Sequence, residues 1–117
     1  MTALAWITAL LLLVGFGMAG LAKLTKQKMV MQLADHLGFT GSQYQLIGAA
    51  EVAGAVGVLL GRLIDGWSVL GLAAAIGFTL LGIGALFFHV RAKDQVKDMV
   101  PISVLTLAAI LHVIAIS

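Results

Sequence analysis

Four long apolar runs, Ala3 to Ala22, Gln43 to Gly61, Trp67 to Phe88 and Met99 to Ser117, decide most of what this chain can become. Each is roughly 19 to 22 residues long, and about 20 residues of α-helix cross a hydrocarbon core of about 30 Å. The runs are too long for strands and lack the alternation of a membrane barrel. The expectation is an all-α polytopic membrane protein, a four-transmembrane-helix bundle forming one domain over residues 1–117. Its helices are expected at about 3–22, 43–61, 67–89 and 99–116, with a short interfacial helix between the first two.

Composition narrows the function classes. The chain is 62% hydrophobic and 10% charged, with a mean hydropathy of +1.12, outside the range of ordinary soluble domains. The first run lacks a basic leader and a cleavage site before a soluble domain, so it reads as a retained helix. With no cysteine, the chain forms no disulfide, runs no thiol chemistry and attaches no c-type haem. The net charge of +2 comes from loop cations, and no basic stripe interleaved with aromatics suggests nucleic acid. Membrane lipids are the expected surroundings.

The connections set the topology. Loop one, KLTKQKMVMQLADHLG, is too polar to span; Met29, Val30, Leu33 and Leu37 share one face, and Gly38 reads as a C-cap. Ser42 and Gln45 have capping-box spacing. Asp65-Gly66 marks a turn before the interfacial Trp67, and Pro101 is placed in the first turn of the last helix. Loops one and three hold Lys23, Lys26, Lys28, Arg91, Lys93 and Lys97, whereas loop two holds only Arg62. Positive-inside bias then predicts a multi-pass protein of the cell (inner) membrane, loops one and three cytoplasmic and both termini outside.

Glu51 is the residue that asks for a reason. It lies about 10 Å inside the second span, with Gly48, Gly54 and Ala55 as helical neighbours and Tyr44 one heptad earlier. In an up-and-down bundle Lys23 ends helix one and His89 ends helix three at the same membrane boundary. Lys23, Glu51 and His89 are therefore expected to converge, above a wall of small residues and the rings of Phe16 and Phe78. Intramembrane ionisable groups point to function by default. The plain alternative is a Lys23–Glu51 brace with His89 capping carbonyls. Tyr44 is either an interface-belt residue or a third partner at Glu51. His112, about 20 Å into the last helix, reads as a core histidine satisfied by a neighbouring helix. Asp35, His36, Asp94 and Asp98 read as solvated charges, and Trp6, Phe87 and Phe88 as packing groups. No metal spacing, nucleophile–base pair or phosphate loop is present.

Three short motifs in order carry a family resemblance: GxxK from Gly20 to Lys23, ExxG from Glu51 to Gly54, and GAxxxH from Gly84 to His89. Together they resemble the DoxX-like membrane proteins over nearly the whole chain. The resemblance implies a four-helix bundle with its charged positions at Lys23, Glu51 and His89. Relatives are similar to the membrane subunit of thiosulfate:quinone oxidoreductase, and distant ones act as assembly chaperones, so resemblance fixes fold better than activity. The leading expectation is an oligomeric membrane subunit of a redox complex. It would bind quinone or a similar lipophilic molecule through Lys23, Glu51, His89, Tyr44, Phe16 and Phe78, and work with a soluble redox partner. No metal or haem is expected, and the chain carries no redox centre of its own. The alternatives are a non-enzymatic accessory or assembly protein and, third, a small proton-coupled transporter.

Overall fold

The structure is a computed structural model describing residues 2–117, and its elements are all helical. They are α1 (Thr2–Leu24), α2 (Lys28–Leu37), α3 (Gly41–Leu63), α4 (Ser68–Arg91) and α5 (Val96–Ile116). All but α2 are long and apolar enough to cross a membrane. α1 packs on α3 and α5, and α4 packs on the same two, so sequential spans are neighbours around a ring.

The spans bury narrow stripes. On α3 the buried positions are Tyr44, Gly48, Glu51, Ala55 and Val58, with Gly57 beside them, and on α4 they are Gly71, Ala75, Phe78 and Gly82. Steps of three and four keep such a stripe on one side of a helix. Most large apolar side chains outside the stripes, such as Met18, Leu46, Val69 and Leu80, face outwards, as a bilayer solvent permits. Where stripes meet, glycine brings backbones together. A Cβ on Gly48 would lie 2.7 Å from Lys23 Cβ and 2.8 Å from the Gly20 carbonyl, and one on Gly61 would lie 2.7 Å from Gly71 Cα. These contacts set the α1–α3 and α3–α4 spacings.

Helix ends explain where the observed boundaries depart from the expected ones. The N-cap of α3 is Thr40 rather than Ser42: its hydroxyl accepts from Gln43 N at 3.1 Å, and Gln43 Oε1 accepts from Thr40 N at 2.9 Å. This reciprocal box starts the helix at Gly41. α5 starts at Val96 because Asp98 Oδ2 accepts from Gln95 N at 3.2 Å. Pro101 consequently lies inside the helix, past its first turn.

Three helices end in the same reversal. Gly38 (φ 93°), Lys26 (φ 54°) and Lys93 (φ 61°) adopt left-handed backbone. The residue after each donates to the carbonyl five residues back: Phe39 to Ala34, Gln27 to Ala22, and Asp94 to His89. These are Schellman closures. The first turns Phe39 back onto Tyr44 and Phe88, at ring separations of 5.7 and 4.6 Å. The last turns Asp94 back onto the end of α4.

α2 is amphipathic, as expected, but its inner face is rotated from the predicted one. Ala34 and Leu37 are buried, Leu33 lies at the edge, and Met29 points outwards. The helix rests on α1, α3 and α4, and no Cα of it comes within 8 Å of one in α5.

Candidate functional site

Gly20 and Gly48 create the site. Their close approach places Lys23, one turn after Gly20, beside Glu51, one turn after Gly48, and the ammonium lies 2.7 Å from Glu51 Oε1. Glu51 is 3% exposed, so this is an ion pair inside the bundle. At that distance the contact is a charge-assisted pairing of ammonium and carboxylate. A carboxylate paired once keeps further acceptor positions. The same ammonium sits 4.9 Å from the centre of the Tyr44 ring, which is buried and caps the pair from the α2 side.

The pair forms part of the wall of a cavity of about 510 Å³ at the lysine-bearing end of the bundle. All five helices contribute to that wall, and its character is apolar and aromatic: Phe16, Ile47, Leu81, Phe88 and Ile102, with Leu37 and Phe39 across the end. Tyr44, His89 and Asp98 are the other ionisable groups lining it. Pockets of this size, mostly apolar with a few convergent polar groups, are typical of small-molecule sites.

Of the six residues singled out from the sequence, Phe16, Lys23, Tyr44, Glu51 and His89 line this one cavity. Phe78 stands behind it. Its ring lies parallel to that of Phe16, with centroids 4.0 Å apart and 2° between planes, and it fills a slot that a Cβ on Gly54 would block at 2.6 Å. Phe78 therefore fixes the orientation of Phe16 without reaching the cavity, and Gly54 is a packing position for that ring.

The convergence of three polar groups needs one correction. Lys23 and Glu51 pair, but His89 turns to a different carboxylate: its Nδ1 lies 2.6 Å from Asp94 Oδ2. The second oxygen, Oδ1, lies 2.6 Å from His36 Nε2 on α2. His36 and Asp94 are thus members of a clasp joining α2, α4 and the turn before α5, and not independent solvated charges. Sequence spacing hides this, since 58 residues separate the two. The local signal is the position of Asp94 just beyond the left-handed Lys93, which swings it against His89.

Hydrogen bonds first from His36 and then from His89 hold the Asp94 carboxyl below its ordinary value of 3.8. A depressed value means that the contribution to stability is complete above the ordinary pKa and disappears as pH falls through the folded one. Thermal unfolding in detergent is thus expected to be insensitive to this group near neutrality and to weaken below about pH 4. Asp94→Asn should flatten that acid limb; an unchanged limb would show that other carboxylates carry it.

A second buried polar contact lies towards the opposite end. His112, fully buried, has Nδ1 2.7 Å from the hydroxyl of Thr8 on α1, which also lies 2.8 Å from the Leu4 carbonyl. This fits the core-histidine reading at one ring nitrogen, with the bond crossing from α5 to α1, while the buried Nε2 has no partner among the described residues. Thr8→Val removes the partner and leaves a buried imidazole nitrogen unpaired, so we expect a loss of about 1–3 kcal/mol in detergent unfolding. Ligand occupancy at the other end should be unaffected.

The comparisons with known proteins agree with this architecture. Residues 7–111 match the DoxX-like family. The chain belongs to that family. No curated protein and no solved structure matches it. In this DoxX-like protein each short motif now has a physical content. GxxK and the Gly48 next to ExxG form the α1–α3 contact that holds the ion pair, and ExxG adds the slot for Phe78. GAxxxH supplies two small cavity-lining positions, Gly84 and Ala85, before His89. Among the described residues, no three histidine, aspartate or glutamate side chains are arranged to hold a metal ion.

Proposed function

We propose that this DoxX-like protein binds a quinone, or a lipophilic ring compound of similar shape, in the cavity beside Glu51, as the membrane subunit of a redox complex. One observation carries the reading: a buried ion pair stands in the wall of an apolar cavity large enough for a small molecule. Packing alone gives no reason to keep it there, since apolar residues of similar volume are often as stable as a buried ion pair. A ring oxygen gives one, because Lys23 can donate to a carbonyl and the Glu51 carboxylate can accept from a hydroxyl. The rings of Phe16, Phe39 and Phe88 supply the apolar wall.

The protein would bind and orient the ring and exchange a proton with it. Electrons would come from a soluble redox partner, since the side chains here offer no redox centre. We place the lysine-bearing end at the cytoplasmic face of the cell membrane on the distribution of its cations.

Solvent extraction of protein purified in mild detergent tests the reading. A co-extracted lipophile with a quinone absorbance that changes on reduction supports it. That compound should fall at least tenfold in Glu51→Gln, where one good charge-assisted hydrogen bond is lost. Intact protein yielding only phospholipid, from both wild type and variant, would contradict it and favour the accessory role, with Lys23–Glu51 as an internal brace.

A further inference from the structure

We infer that α2 is a strap across the mouth of the cavity, held closed by the His36–Asp94–His89 clasp, and that releasing this clasp opens the cavity to water. The inference takes from the ligand reading only that the cavity admits a guest.

Four observations support it. Leu33 and Leu37 of α2, followed by Phe39, form the outer wall of the cavity. The strap is one short helix of ten residues, set off from α1 and α3 by the left-handed reversals at Lys26 and Gly38. Its apolar anchorage is slight, with only Ala34 and Leu37 buried. Lastly, no Cα of α2 comes within 8 Å of one in α5, whose Asp98, Pro101 and Ile102 also line the cavity, so no backbone packing closes the strap against that helix.

The clasp bridges the structure there. Asp94 belongs to the turn that leads into α5, and its carboxylate takes His36 from the strap on one oxygen and His89 from the bundle on the other. His36 supplies the one side-chain hydrogen bond or ion pair that joins α2 to the rest of the chain, among the described residues. The His36 side chain is 50% exposed and those of Asp94 and His89 are 11% and 12%, so the inner half is sheltered and the outer half meets water. A brace needed only for folding would have no reason to tie the least-packed helix across an open cavity. A clasp that is half exposed can be undone without disturbing the core.

The absence of cysteine makes the test direct. A single reporter, Ala85→Cys, lies in the cavity wall; a second, Ala109→Cys, lies in the fully buried core. Each is placed in the full chain in lipid nanodiscs and labelled with a charged, water-soluble thiol reagent. At the cavity reporter, Asp94→Asn and His36→Ala should each speed labelling about tenfold, as expected for losing one charge-assisted hydrogen bond. The double variant should go no faster than either alone, and His36→Gln, which keeps an N–H donor, should recover part of the protection. The core reporter should stay unreactive throughout. Equal rates with and without the clasp, additive effects in the double variant, or acceleration at Ala109→Cys to the same degree would overturn the inference. Because no ligand is used, the labelling result stands or falls apart from whether a quinone co-purifies.

Discussion

Gly48→Val is expected to unfold the α1–α3 half of the bundle and to abolish any ligand bound beside Glu51. The reason is backbone contact. Even a methyl group at Gly48 would meet the Gly20 carbonyl at 2.8 Å and Lys23 Cβ at 2.7 Å, and a Gly20 methyl would meet the Gly48 carbonyl at 2.7 Å. A flexible side chain can rotate away from an intruder, but a helix backbone moves only as a whole. Overpacking a filled core costs about 1–3 kcal/mol, and valine against a backbone should lie at or beyond the upper end. Gly48→Ala should cost less and should lengthen the Lys23–Glu51 contact before it destroys the fold. Gly77 is the control, because a Cβ there meets nothing within 4 Å. Gly77→Ala should be neutral or stabilising by up to about 1 kcal/mol through helix propensity. Unfolding of the three variants in a graded denaturing detergent separates them. Similar behaviour of Gly48→Val and Gly77→Ala would mean that the helices are not held this closely.

The second large effect concerns the pair itself. Lys23→Met keeps the length of the side chain and removes the charge, leaving the Glu51 carboxylate 3% exposed without its counter-ion. Breaking one side of a buried pair typically costs about 3–5 kcal/mol. Replacing both partners, as Lys23→Met with Glu51→Leu, should recover most of that loss, because two apolar side chains satisfy one another. The double variant thus separates stability from function: it should fold about as well as the wild-type protein and bind no polar ring compound. If the two single substitutions are additive in the double, the residues do not interact and the site as described is wrong.

Much of the architecture was legible in the sequence, because a bilayer demands long apolar helices and four such runs leave few other folds. Lys23 and Glu51 could be brought together from span direction and depth alone, and the glycines beside them signalled close helices. What sequence could not supply was the choice of partner for His89. That depends on a left-handed lysine after α4, a conformation with no strong residue signature here, and on a histidine from a helix 53 residues earlier, by the numbers 89 and 36. The division of labour between Phe16 and Phe78 was equally hidden. Both fall on the inner stripes of their helices, and only the slot at Gly54 decides which ring faces the cavity. Cap positions slipped for a simpler reason, since Thr40–Gln43 and Ser42–Gln45 share the same spacing and local sequence offers little to rank them.

Glu51 and Lys23 line a cavity of a size and character that suit a lipophilic guest. Native mass spectrometry of the gently solubilised protein tests this most directly, because it weighs chain, guest and partner together. The folded wild-type chain should carry a discrete small-molecule adduct that is lost in Glu51→Gln and in the Lys23→Met, Glu51→Leu double variant. A folded chain that carries no adduct, or the same adduct in all three proteins, would contradict it.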